Sequence, residues 1–183
     1  MDSSLATERL VPILIGASVV ALTLLCMFSD YRRRIIPNYL TLPAMALGLT
    51  LNLIGHGWFH GFLFSFAGML AGIGLLRLPF MFGSMGGGDV KLMGALGSFL
   101  GAYAILNVFI YTTLAGGAFA LIVAIYNESL VATVKKVWLL AKCMFLFRSP
   151  ATGAALFQNS IKIPYGLAIG AGTFCYLIIG KIV

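Results

Sequence analysis

Leu92–Asn127 reads LMGALGSFLGAYAILNVFIYTTLAGGAFALIVAIYN, an apolar stretch with no charged side chain. As one straight helix its 36 residues would extend about 54 Å at ~1.5 Å per residue, nearly twice the roughly 30 Å of a bilayer's hydrocarbon core. The stretch is too long for one crossing and long enough for two. A break near Gly101–Asn107, with the first half starting back at Asp89, makes two spans of ordinary length. The other uncharged runs are Val11–Phe28, Tyr39–Gly55, Trp58–Leu76 and Ile163–Gly180. Each fits one span, near the lower limit of about 17 residues. The expectation is an all-α polytopic membrane protein with six spans, folded as one domain over residues 1–183.

Composition points the same way. The 183 residues are 61% hydrophobic and 9% charged, with a mean hydropathy of +1.03. Soluble domains are about 45–50% apolar and about 25% charged, so too few polar residues remain here to cover a soluble surface. Disorder is excluded by the same numbers. The net charge of +7 does not indicate nucleic acid, because the basic residues lie between apolar runs, where they record membrane orientation. With six spans, Arg32, Arg33, Arg34, Arg77, Lys91, Lys135, Lys136, Lys142, Arg148 and Lys162 share one side, and Arg9 and Lys181 the other. Five spans would carry the segment Glu128–Lys162 and its five basic residues across. The positive-inside rule therefore favours six spans with both termini outside. The first run is followed by Ser29-Asp30-Tyr31-Arg32-Arg33-Arg34, which is expected to retain it as an anchor rather than expose it to signal cleavage. In Leu130–Phe147, Val131, Val134, Trp138, Ala141 and Phe145 recur at helical spacing with Lys135, Lys136 and Lys142 off that stripe. That pattern predicts an amphipathic helix on the cytoplasmic membrane surface.

The chemistry is expected at the acids. There are five, Asp2, Glu8, Asp30, Asp89 and Glu128, and only Asp30 and Asp89 stand at the edge of an apolar run. Ionisable groups beside a bilayer are costly and therefore functional candidates. Each also has a plain structural reading. Asp89 follows Gly86-Gly87-Gly88 and opens a helix, where it would serve as an N-cap; Asp30 beside Arg32–Arg34 would serve as a solvated loop acid. Together they fit a pair. The glycines allow a sharp turn and close approach just before Asp89. Two carboxylates brought close would share a proton, as an aspartic-protease dyad requires. Cys26, Cys143 and Cys175 form no C-x-x-C pair, and His56 and His60 are expected on the opposite side, so no metal or cofactor is expected.

Gly86-Gly87-Gly88-Asp89-Val90-Lys91-Leu92 resembles the G-x-G-D-x-K-L signature of the type IV prepilin peptidase family. Asp30 through Asn38 resembles that family's first aspartate, followed by basic residues and Ile36-Pro37-Asn38. Ile163-Pro164-Tyr165-Gly166-Leu167-Ala168 resembles the Pro-aromatic-Gly segment opening its last span. The resemblance implies a bacterial inner-membrane aspartic endopeptidase, with Asp30 and Asp89 as the catalytic pair. It implies cleavage of prepilin and pseudopilin leaders after their glycine, at the cytoplasmic face. The paired C-x-x-C motifs of the bifunctional members are missing, so N-methylation is not expected and the chain looks like the short form of Tad/Flp pilus systems, with Flp-type prepilins as partners. Gly86, Gly88, Lys91, Asn38, Pro164, Tyr165 and Gly166 are the expected supporting residues. Lys91 reads more simply as a marker of the positive side, and Asn38 as a cap on the second span. Two other function classes fit acids in a small membrane protein: a presenilin-like intramembrane protease and a proton- or ion-coupled transporter. The order Ser29-Asp30-Tyr31 departs from the Tyr-Asp of the former, and the position of the acids at one edge from the midplane site of the latter.

Overall fold

The computed structural model describes residues 2–81, 85–126, 138 and 165–180, nearly all of them helical. The elements are α1 (Asp2–Arg33), α2 (Asn38–His56), α3 (Trp58–Met81), α4 (Gly87–Tyr126) and α5 (Tyr165–Ile179). Arg9–Arg33, Trp58–Met81 and Gly87–Phe119 are each long and apolar enough to cross a membrane; Tyr165–Ile179 is a shorter apolar helix. The amphipathic helix expected over Leu130–Phe147 lies outside the described residues, apart from the exposed Trp138.

The long apolar stretch is broken where its length demanded. Gly101 has φ 82° and ψ 170°, a backbone region open essentially to glycine alone. Contacts on either side show that the chain turns back there. The 27 residues from Asp89 to Gly116 would separate those positions by about 40 Å in a straight helix. Instead Tyr165 lies beside Gly116, interacts electrostatically with Asp89, and precedes Gly166, which bonds to Asp30 on α1. Residues 87–100 thus run away from the aspartates and residues 102–126 return toward them. Gly57, between α2 and α3, reverses the chain at that same far end in a similar conformation, φ 81° and ψ 165°.

The first half of α4 is the centre of the bundle. Leu92–Phe99 are buried without interruption, and Leu92, Met93, Leu96, Ile105, Val108 and Ile169 are among the largest fully buried side chains. In lipid the apolar surface of a helix has no water to escape, so helices associate where small residues let backbones pack closely. That is how α3 meets α4. A Cβ on Gly68 would strike the Gly97 carbonyl, and one on Gly72 the Met93 carbonyl. The large apolar side chains of α1 and α3, such as Ile13, Leu24, Leu63 and Leu70, face outward.

The turn at Gly101 interrupts the backbone ladder, so carbonyls just before it need other donors. Asn52 Nδ2 donates to Ser98 O (2.9 Å) and Phe99 O (3.2 Å), and Ser65 Oγ donates to Ser98 O (2.8 Å). Both side chains are buried. Asn52 on α2 and Ser65 on α3 hold the end of the first half of α4 from two sides.

Candidate active site

Asp30 sits in the last turns of α1 and is buried, not solvated in a loop. The helix closes with Arg34 N–H donating to Asp30 O (2.8 Å) and Arg34 in the left-handed region at φ 52°, the one non-glycine among the described residues with positive φ. This bend turns the chain into Ile35, Ile36 and Pro37 and on to α2. Ser29 Oγ donates to Ile35 O (2.9 Å) and secures the turn.

Asp89 sits in the first turn of α4 and is also buried. Its Oδ2 accepts from the N–H of Gly86, the residue before the helix (3.1 Å). This is the reach-back half of a capping box, and it satisfies a donor that helix geometry leaves open. Asp30 Oδ2 plays the matching part across the fold, accepting from Gly166 N–H at the start of α5 (2.8 Å). Each carboxylate is therefore oriented by a backbone N–H at the N-terminus of an apolar helix, and among the described residues neither Oδ1 has a hydrogen-bond donor.

The two carboxylates line one open cavity of about 220 Å³, together with Arg34, Ile35, Ile36, Gly86, Gly87 and Gly88. The charge of Asp30 acts on Asp89, and that of Arg34 on Asp30. The glycines contribute differently. A Cβ on Gly88 would lie 2.9 Å from Ile36 Cβ and 3.0 Å from Ile36 O, so its absence lets α4 meet the α1–α2 connection. A Cβ on Gly166 would lie 2.7 Å from Asp30 Oδ2. Gly86 has room for one and contributes its N–H instead.

The remaining expected residues divide. Tyr165 lines a neighbouring groove with Ala115, Gly116, Phe119, Leu167, Ala168 and Ala171, in electrostatic reach of Asp89. Pro164 lies outside the described residues. Asn38 does not cap α2 with its side chain: Pro37 holds the N-cap position without a side-chain hydrogen bond, and Asn38 Oδ1 accepts from Lys91 Nζ (2.8 Å). The reason is register, since Asn38 is already the first helical residue and its amide points across to α4. Lys91 is accordingly more than a marker of charge. Sequence reasoning missed Ile36 as a wall of the cavity, although it stands in the quoted Ile-Pro-Asn, and missed Arg34 by reading it only as topology.

No curated protein and no solved structure gives a significant match to this chain. The family model described as the type IV leader peptidase family matches residues 17–121, more than half of the chain and a segment holding Asp30, Asp89 and Gly86–Gly88. Two buried aspartates share one cavity in an apolar helical bundle, and the chain belongs to the type IV leader peptidase family.

Proposed function

We propose that the chain is a six-span membrane aspartic endopeptidase that removes the leader of prepilin-type substrates after the leader glycine, at the cytoplasmic face, with Asp30 and Asp89 as the catalytic pair. The observation that carries this reading is that two acids 59 positions apart in sequence, both buried, line the same cavity. In this mechanism one ionised aspartate takes a proton from a water molecule. The other, protonated, donates to the scissile carbonyl as the water attacks. The proton then passes to the leaving amine. Hydrogen bonds from Gly166 and Gly86 hold one oxygen of each carboxylate, which keeps the pair oriented while protons move.

The reversal at Gly101 supports two crossings within α4, which together with α1, α2, α3 and α5 make six. The described basic residues support the orientation. Arg32, Arg33, Arg34, Arg77 and Lys91 all fall at the aspartate end of the bundle, and Arg9 at the other, where Val11 meets Gly55. By the positive-inside rule the aspartate end is cytoplasmic. A Flp-type prepilin is the proposed substrate.

Co-expression with a Flp-type prepilin, followed by mass spectrometry of the pilin N-terminus, tests the reading. Wild type is expected to trim after the leader glycine. Asp30→Asn and Asp89→Asn, present at wild-type membrane levels, are each expected to lower cleavage by roughly a thousandfold or more, as loss of an essential acid or base does. Trimming by either variant at near wild-type rate would refute the pair. A wild-type enzyme that leaves several prepilins intact would refute the substrate class.

A further inference from the structure

The geometry points to Lys91 and Asn38 as a positioning pair, an interhelical clasp that holds the first turn of α4, and with it Asp89, against the start of α2 and the connection that leads there from the Asp30 end of α1. This inference rests on the aspartate pair proposed above. Lys91 Nζ donates to Asn38 Oδ1 at 2.8 Å, a short contact with a charged donor on the solvent-exposed rim of the site. Its placement gives it consequence. Lys91 stands two residues after Asp89. Asn38 follows directly on Arg34–Pro37, whose Arg34, Ile35 and Ile36 wall the cavity. Between these anchor points α4 and the connection touch through Gly88 and Ile36, a contact with no side chain on the glycine and no polar direction of its own.

The other hydrogen bonds of the two carboxylates do not do this task. Gly86 to Asp89 lies within the α4 start itself, and Gly166 to Asp30 joins α5 to α1. Neither ties α4 to the α1–α2 connection. Among the hydrogen bonds of the described residues, the clasp is the one that joins the start of α4 to the chain beside the α1–α2 connection. Neither Lys91 nor Asn38 lines that cavity, so each acts through Asp89 rather than on a substrate.

The test is a double-mutant cycle in the full chain, purified in detergent, with prepilin cleavage as readout. Lys91→Met and Asn38→Leu are each expected to lower kcat about tenfold with KM within about twofold, the size of one charged hydrogen bond. The double variant is expected to lose no more than either single one, because both remove the same contact. Lys91→Arg, which keeps the cation and its donors, is expected to recover most of the kcat that Lys91→Met loses. Additive losses would overturn the clasp, as would a rise in KM in place of a fall in kcat, which would make Lys91 a substrate contact. Equal activity of Lys91→Met and wild type would also overturn it. Asp89→Asn runs alongside: if wild type cleaves no prepilin, the peptidase reading fails first, and the clasp has no reaction to position.

Discussion

Gly88 and Gly166 are glycines for a reason that can be measured. A methyl group on Gly166 would occupy the space of the Asp30 carboxylate, and one on Gly88 the space of Ile36. Gly166→Ala is expected to lower kcat about a hundredfold, since displacing a catalytic group by about 1 Å costs that order. Gly86→Ala, at a position with room for the methyl, is expected to cost far less, which separates crowding of the carboxylates from mere loss of a glycine. Steady-state cleavage of a prepilin by each variant, with monodispersity on gel filtration as the folding control, checks both. Equal losses for Gly86→Ala and Gly166→Ala would mean that backbone flexibility, and not space beside Asp30, is what the glycines supply.

At the scale of the element, α4 decides the architecture through one backbone conformation and the side chains that repair it. Gly101 occupies a region that costs other residues roughly 1–3 kcal/mol, and a Cβ there would also collide with the Phe64 ring. Asn52 answers the carbonyls that the turn leaves open, and losing a buried hydrogen bond costs about 1 kcal/mol. Gly101→Ala is therefore expected to destabilise more than Asn52→Leu, and Thr50→Ala, on an exposed position of the same helix, hardly at all. Thermal unfolding in detergent gives the order. A variant Gly101→Ala as stable as wild type would show that the strand of helix on either side, and not the glycine, makes the turn. The neighbouring stripe Ser65, Gly68, Gly72 on α3 and Gly94, Gly97, Ser98 on α4 lets these two helices pack backbone against backbone.

At the scale of the whole molecule, the aromatic residues mark two levels. Tyr31 and Tyr39 are exposed at the aspartate end, and Trp58 and Phe59 at the far end, as expected where a bilayer meets water. The proposed orientation puts the first pair inside the cell and the second outside. In a chain whose native cysteines have been replaced, Trp58→Cys is expected to react with a membrane-impermeant maleimide in spheroplasts, and Tyr39→Cys only after permeabilisation. The reverse pattern would put the aspartates outside, and a prepilin leader, which stays in the cytoplasm, could not reach them.

The sequence by itself determined the apolar, helical class of the chain, the need to fold Leu92–Asn127 back on itself, and the two aspartates worth attention. These follow from composition, length and charge, which are properties of the chain and not of its packing. It also held the motifs that place it in its family. What it could not determine was proximity. Nothing in the spacing of Asp30, Asp89 and Gly166 says that an α5 N–H reaches Asp30, because that contact spans 136 residues and depends on how α1, α4 and α5 cross. Asn38 read locally as a cap; only the approach of α4 turned its amide to Lys91. Asn52 and Ser65 are isolated polar residues in apolar runs, and their use depends on the turn at Gly101, which leaves carbonyls beside them. Local rules set which groups each helix would expose, and the tertiary structure decided which of them meet, because close packing of small residues brings backbones together at points no single helix encodes.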